Sequence, residues 1–273
     1  DVCSSDLVAV VGFLTFMIWE RGEKHPVVDL TLFKIRNFWA GALATSVGYG
    51  LFFGNVVLLP LWLQQFMGYT ATDAGLATAW TGVTALLVAP LVANSKRDPR
   101  ALVFFGVLWM GLVTLWRTIA NSDMAFWDIA IPLAVMGFAL PFFFIPTTGI
   151  ALGCVEEREM DSAAGLMNFL RTLSGAFATS VVTTVWSNQT TRNHAELVGL
   201  TDRDGSVRDM LIQSGAPTDA ANQAVDYLLT SQSGMLSTNQ VMTGIAVMFF
   251  IAAAIIWIAP KPTRTIEPGA GGH

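Results

Sequence analysis

Six long runs of apolar residues alternate with polar segments along the chain, and a shorter apolar run precedes them. The hydrocarbon core of a bilayer is about 30 Å thick, so a helix needs about 20 apolar residues to cross it. The pattern therefore predicts an all-α integral membrane protein. The predicted transmembrane spans are residues 38–63, 74–93, 101–120, 126–153, 162–186 and 239–259.

The remaining segments are shorter or polar. The first apolar run, residues 7–19, is too short to cross a bilayer, and we interpret it as the end of a truncated transmembrane helix. Residues 1–6 can be reverse-translated into the end of a sequencing-library adapter, so we expect them to be non-native and the chain to be a fragment. A native polar N-terminus is the alternative interpretation. Residues 20–37 are predicted to be a charged linker and residues 260–273 a polar tail.

Lysine and arginine are distributed unevenly between the two sides of the predicted bundle. The short segments 20–37, 94–100, 154–161 and the C-terminal tail together carry ten of them, whereas the short segments on the other side carry only Arg117. Positive residues concentrate in short cytoplasmic loops. We therefore expect the C-terminus to be cytoplasmic and the long polar segment 187–238 to face outward. Within that segment we predict a small helical hairpin, with helices at 206–214 and 218–236.

Composition excludes several function classes. Hydrophobic residues make up 53% of the chain and charged residues 13%, whereas soluble domains carry about a quarter charged residues. The formal net charge is -5 and there is no basic stripe, so nucleic acid is not an expected partner. The two cysteines and three separated histidines match no metal-ligand spacing, and no zinc-protease, serine-hydrolase or Walker motif is present. We expect no cofactor, no metal and no enzymatic activity.

The predicted span 162–186 carries a polar stripe at steps of three and four residues. An arginine inside a span is costly unless it pairs or meets water, so we interpret the stripe as the wall of a substrate cavity. For the arginine, a helix-packing contact with its head reaching the interface is an open alternative. The stripe consists of Asn168, Arg171, Gly175, Thr179 and Thr183.

The first complete span adds aromatic and amide side chains. Aromatic rings with a few hydrogen-bonding groups suit amphipathic organic substrates. Ordinary helix contact is the alternative for these residues, and an interfacial aromatic belt is the better interpretation of Trp62. The candidates for the cavity on this span are Tyr49, Asn55, Gln64 and Gln65.

Small residues recur every four positions on the same span, which predicts one narrow face for close helix packing. They are Ala42, Ser46, Gly50 and Gly54.

Several short strings resemble the C-terminal half of a fourteen-helix drug:proton antiporter of the major facilitator superfamily, of the EmrB/QacA type. Each string is weak alone, but together they are specific and cover nearly the whole chain. The sequence departs from the family pattern at Trp80, in the turn 90–97 and at Asn239-Gln240. The strings lie at residues 25–30 (HPVVDL), 36–38 (RNF), 49–65 (YGLFFGNVVLLPLWLQQ), 67–72 (MGYTAT), 74–78 (AGLAT), 98–100 (DPR) and 168–171 (NFLR).

This resemblance implies two six-helix bundles with two extra helices between them. The chain would hold the end of the second extra helix and the C-terminal six-helix bundle. It further implies export of amphipathic compounds by alternating access, driven by protons, from the bacterial inner membrane. Implied partners are the missing N-terminal half, a periplasmic adaptor, an outer-membrane channel and the lipid bilayer. The acidic residues credited with proton coupling in this family would lie in the missing half.

Two other functions remain open from the sequence. A transporter of this kind can export a specific metabolite, such as a fatty acid or a siderophore, in place of drugs. A non-transporting membrane scaffold, with segment 187–238 as its docking element, belongs to another class. The polar stripe at 168–183 disfavours the scaffold, because a scaffold needs no polar cavity wall. We expect the chain to be inactive in transport on its own, since one bundle encloses no central site.

Overall fold

A computed structural model gives the fold of the 273-residue chain. It describes residues 11, 12, 15, 18, 19, 36–119, 121, 124–153, 155, 157–204 and 206–256. The expectations for residues 1–6, for most of 7–19, for the linker up to residue 35 and for the tail 260–273 lie outside these residues.

The described part of the chain is helical throughout, with short turns and no strand. A 3-10 turn, Glu157–Glu159, precedes the fifth helix. The helices are α1 (Arg36–Phe66), α2 (Ala71–Ala93), α3 (Pro99–Arg117), α4 (Phe126–Leu152), α5 (Met160–Asp204), α6 (Ser206–Gln213) and α7 (Thr218–Ile255).

Five of these helices, α1, α2, α3, α4 and α7, are long and apolar enough to cross a membrane. The predicted all-α membrane fold is therefore confirmed. The predicted span 162–186 lies within α5. This described helix is long enough to cross a membrane, but it is not apolar enough to count as a candidate membrane span. The reason is the polar stripe itself, because a single arginine offsets the hydropathy of several apolar neighbours.

The turns between the first helices are fixed by local hydrogen bonds. Thr70 caps α2 by accepting from the backbone N–H of Asp73 over 3.2 Å, and Asp98 caps α3 by accepting from the N–H of Arg100 over 3.0 Å. Such caps satisfy N–H groups that have no partner within the helix. Gly68, with φ of 69°, allows the chain to reverse between α1 and α2.

An apolar core holds most of the bundle together, with α3 packed between α4 and α7 and with α1 against α5. The close approach of neighbouring helices depends on glycines, which have no side chain. A Cβ on Gly106 of α3 would lie 2.9 Å from the backbone nitrogen of Phe143 on α4, and a Cβ on Gly137 of α4 would collide with the carbonyl of Thr81 on α2. Small residues give membrane helices such backbone contacts.

The helices predicted at 206–214 and 218–236 are present as α6 and the first part of α7, but the rest of segment 187–238 extends the long helices and does not form a separate loop. Residues 187–204 continue α5 and residues 218–238 continue α7, so that only α6 is a separate short helix. Side-chain hydrogen bonds join α5 and α7 here: Trp186, just before the extension of α5, donates to Thr238 over 2.9 Å, and Asn193 donates to Ser237 over 2.8 Å. Because the polar side chains of these extensions find hydrogen-bond partners on the facing helix, the two extensions pack together and do not form a loop.

Candidate functional site: an arginine among aromatic rings

The guanidinium of Arg171 on α5 lies against aromatic rings from two other helices. Its Cζ is 4.6 Å from the ring centroid of Tyr49 on α1 and 5.7 Å from that of Phe144 on α4. A cation over a ring face within about 6 Å is attracted by the ring's quadrupole. The Nε of Arg171 is buried and has no hydrogen-bond partner. The rings therefore stabilise the charge while one donor remains available.

The rings hold one another in place. Tyr49 stacks on Phe53 with centroids 4.5 Å apart, and it meets Phe144 edge to face at 5.6 Å. Offset stacking and edge-to-face contacts are the favoured geometries of aromatic pairs. Gly175 faces the same rings, and a Cβ there would be in ordinary van der Waals contact with Tyr49 and Phe53, at 3.6 Å. We call Tyr49, Phe53, Phe144 and Arg171 the aromatic–arginine cluster.

The structure brings only part of the expected site together. Arg171 and Tyr49 are in contact, and both are half-buried. Asn168 is exposed one turn away on α5, and Thr179 is half-buried two turns beyond Arg171. Phe144, which sequence reasoning missed, belongs to a run of three phenylalanines in an apolar span and gives no individual signal.

Gln64 and Gln65 lie apart from the cluster. Fifteen residues separate Tyr49 from Gln64 in the continuous helix α1, which is about 22 Å at 1.5 Å per residue. Both glutamines are exposed, and Gln64 donates to the carbonyl of Pro60 in its own helix over 3.1 Å. Any contact of theirs with a substrate would occur at the end of the bundle.

Asn55 belongs to a second polar group, away from Arg171. Its side chain is fully buried, donates to Thr114 Oγ1 over 2.6 Å and accepts from Nη1 of Arg117 over 2.6 Å. Thr114 and Arg117 are both on α3 and were not among the expected site residues. The sequence did carry a signal for Arg117, because it ends an apolar span and is the one lysine or arginine in the short segments on that side of the predicted bundle.

The small face of α1 meets α5. A Cβ on Gly50 would lie 3.2 Å from the carbonyl oxygen of Ser174, and one on Gly54 would lie 2.9 Å from Val182. Ala42 is buried in a separate apolar cluster with Ala151 of α4. Ser46, half-buried, donates its hydroxyl to the carbonyl of Ala42 over 2.8 Å. The two glycines thus set the distance between α1 and α5, which places Tyr49 against Arg171.

A cavity of about 320 Å³ lies next to the cluster, between α1, α2, α3 and α4. Phe52 lines it, and this ring also contacts Phe144 at 5.7 Å. Asn55, Thr78 and Arg117 add polar groups to otherwise apolar walls. A concave apolar site with a few polar groups is the usual form of a small-molecule site. Among the described residues, no group of three acidic, histidine or cysteine side chains could hold a metal.

Comparison with known proteins finds membrane transporters that align with nearly the whole chain. Multidrug export protein EmrB of Escherichia coli (strain K12) is 35% identical over 274 residues, which cover 98% of this chain and 54% of that protein. Fatty acid resistance protein FarB of Neisseria gonorrhoeae is 33% identical over 279 residues, covering 100% and 54%. The probable multidrug resistance protein EmrY of Escherichia coli (strain K12) is 32% identical over 264 residues, covering 94% and 51%. The chain therefore spans about half the length of these relatives.

The family model of the Major Facilitator Superfamily matches residues 7–179, which is more than half of the chain. That match agrees with the multi-pass helical fold and with the EmrB-type relatives. The chain belongs to the Major Facilitator Superfamily.

Proposed function

We propose that the chain is the C-terminal bundle of a proton-coupled multidrug efflux transporter that exports amphipathic compounds by alternating access. Family membership and the names of relatives such as Multidrug export protein EmrB support this proposal. The chain matches about half of each relative, so the proposal includes a second bundle that completes the transporter. Two bundles that rock around a central site are the common design of such transporters.

The observation that carries the proposal is the contact of Arg171 with Tyr49 and Phe144. Three helices supply these side chains, so the cluster responds to any change in how α1, α4 and α5 pack. The rings offer broad apolar contact to a flat substrate, and the guanidinium offers hydrogen bonds to a carbonyl or an anionic group. An amphipathic compound needs both kinds of contact.

The remaining parts of the system follow from the same proposal. The proton-coupling acids lie in the missing N-terminal half, and the chain alone does not transport. The transporter sits in the bacterial inner membrane with a cytoplasmic C-terminus. A periplasmic adaptor and an outer-membrane channel carry the substrate onward.

Export of a fatty acid is a second candidate, and the observation in its favour is the similarity to Fatty acid resistance protein FarB. A fatty acid is itself amphipathic and anionic, so it would use the same rings and the same guanidinium. Comparing tolerance of a long-chain fatty acid with tolerance of an uncharged aromatic drug, in cells that express the full-length protein, separates the two candidates.

The test of the cluster is Arg171→Ala in the full-length protein, expressed in an efflux-deficient bacterium. We expect drug tolerance to fall several-fold while the amount of protein in the membrane stays the same. Arg158→Ala is the matched control, because Arg158 is an exposed arginine in the turn before α5. Unchanged tolerance at equal membrane expression would rule out the role of Arg171.

A further inference from the structure

The cavity of about 320 Å³ beside the aromatic–arginine cluster is enclosed by α1, α2, α3 and α4. Two of its lining residues, Val56 on α1 and Gly82 on α2, are exposed at the surface of the bundle. The cavity therefore opens between these two helices, and a ligand can reach it from outside. None of the four residues of the cluster lines it, so it is a separate space.

The polar side chains at this cavity already have hydrogen-bond partners. Thr78 donates its hydroxyl to a backbone carbonyl of its own helix over 2.9 Å, and Thr81 donates to the carbonyl of Leu133 on α4 over 3.1 Å. The side-chain amide of Asn55 donates to α3 and accepts from Nη1 of Arg117. A buried water needs roughly two to four polar partners, which groups already engaged do not supply. The space therefore suits an apolar ligand group better than ordered water.

The apolar part of the wall favours an aromatic ring. Phe52 and Met136 both line the cavity, and an aromatic ligand packs well against the edge of a phenyl ring and against a thioether sulfur. An apolar cavity of about 150 Å³ holds one benzene ring, so a cavity of about 320 Å³ has room for about two fused rings. Phe52 also meets Phe53 at 5.6 Å and Phe144 at 5.7 Å, so a ring in the cavity would adjoin the cluster.

Gly82 keeps the space open on the α2 side. Thr78 and Gly82 are four positions apart and therefore share a face of the helix. A Cβ on Gly82 would have no heavy atom within 4 Å, so the position has room for a side chain. Helix side chains lean toward the N-terminus of their helix, so the side chain of Gly82→Leu would lie toward Thr78, along the cavity wall. The glycine thus leaves this volume free.

We propose that Gly82 is a specificity-determining residue, which keeps open a subsite for an aromatic ring system of up to about two fused rings. The rings pack against Phe52 and Met136, and the polar part of the same compound stays at the mouth, between α1 and α2. The proposal rests on the proposed export function for the identity of the ligand, as part of an exported compound. The subsite itself is tested by binding, without transport.

The test measures binding of radiolabelled 2-naphthol, a neutral two-ring compound, to the full-length protein in phosphatidylcholine nanodiscs by equilibrium dialysis. Empty nanodiscs give the blank, since 2-naphthol also enters lipid. We expect saturable binding to the native protein, weakened at least about tenfold by Gly82→Leu, whose side chain takes part of the volume. Absence of saturable binding, or an equal Kd for Gly82→Leu, would overturn the proposal.

Gly75→Leu is the matched control. Gly75 is also an exposed glycine of α2 with no heavy atom within 4 Å of a Cβ, but it does not line the cavity. Its substituted side chain would lean toward the start of α2, away from Thr78. The Kd for 2-naphthol should therefore equal that of the native protein. A loss as large as that of Gly82→Leu would show a general effect of α2 and would contradict a subsite at Gly82.

A larger ligand tests the size limit and keeps the test decisive if Gly82→Leu does not fold. The three-ring compound 9-phenanthrol should bind the native protein at least about tenfold more weakly than 2-naphthol. Leu140→Ala removes part of the cavity wall and should raise the affinity for 9-phenanthrol at least about tenfold. Equal affinity of the native protein for both compounds, or no gain in Leu140→Ala, would contradict the size limit.

The subsite and the proposed function fail in different ways. If 2-naphthol binds in a manner that depends on Gly82 but the full-length protein exports no drug, the proposed function is wrong and the subsite stands. If export depends on Arg171 but no binding depends on Gly82, the proposed function stands and the subsite is overturned.

Discussion

Asn55 and Arg117 lie 62 positions apart in the sequence and are joined by a hydrogen bond of 2.6 Å in the interior of the bundle. Asn55 also donates to Thr114, which itself donates to the carbonyl of Met110 over 2.8 Å. The amide therefore uses both of its ends, one toward the guanidinium and one toward a hydroxyl. This chain of bonds fixes α1 against α3 and compensates for part of the cost of burying Arg117.

Replacing Asn55 by Leu should destabilise the protein. The substitution preserves volume approximately but leaves Nη1 of Arg117 and the hydroxyl oxygen of Thr114 without their partner, at a cost of about 2–4 kcal/mol in the free energy of unfolding. Titration with SDS in mixed micelles measures this difference. Gln64→Leu is the control, because Gln64 is exposed on the same helix. Equal unfolding transitions for Asn55→Leu and the native chain would contradict the structural role.

A second prediction concerns the close contact between α2 and α4. Gly137→Ala places a methyl group against the backbone carbonyl of Thr81, which cannot move without shifting α2. The hydroxyl of Thr81 also donates to the carbonyl of Leu133 over 3.1 Å, which holds the two helices together. We expect a loss of about 1–3 kcal/mol or more in the free energy of unfolding.

The matched control for this contact is Gly149→Ala in the same helix, because nothing lies within 4 Å of a Cβ there. Alanine has the higher helix propensity, so this variant should be neutral or more stable by up to about 1 kcal/mol. SDS unfolding of both variants gives the comparison. If Gly137→Ala were as stable as Gly149→Ala, the two helices would not approach as closely as described.

A third prediction separates the ring of Tyr49 from its hydroxyl. Tyr49→Phe keeps the face against Arg171 and the stack on Phe53, so drug tolerance of the full-length protein should be nearly unchanged. Tyr49→Leu removes a cation–π contact worth about 0.5–2 kcal/mol and should lower tolerance several-fold. Tyr227→Leu, which removes a 68% exposed tyrosine from α7, is the control. Equal loss in both Tyr49 variants would instead assign the role to the hydroxyl.

The sequence predicted the helical membrane fold because apolar runs of the right length have few other structures available. It also predicted Tyr49 and Arg171 as site candidates, since an aromatic ring and a charge inside apolar spans are conspicuous. It did not predict that they touch, because that contact depends on Gly50 and Gly54 bringing α1 against α5. The spacing of residues along one helix does not show which residues of the facing helix they contact.

Two findings about polar residues go beyond what the sequence predicted. Segment 187–238 is polar and was expected to leave the bundle, yet Asn193 bonds with both Ser237 and Gln240, so the polar residues hold α5 and α7 together. Asn55 was predicted to line a substrate cavity because it is polar; it lines the cavity of about 320 Å³, and its amide also bonds with Thr114 and Arg117. Polarity predicts a need for partners but does not say whether these are water, a substrate or another helix.

The last prediction tests the orientation of the bundle through two exposed positions. Ser214 lies in the turn between α6 and α7, and Lys96 lies in the turn between α2 and α3. Short segments rich in lysine and arginine stay in the cytoplasm, so we expect Lys96 inside and Ser214 outside. In a full-length protein freed of its native cysteines, including Cys154, a membrane-impermeant maleimide should label Ser214→Cys in intact cells. It should label Lys96→Cys only after the cells are permeabilised. The reverse pattern would invert the bundle and place the extensions of α5 and α7 in the cytoplasm.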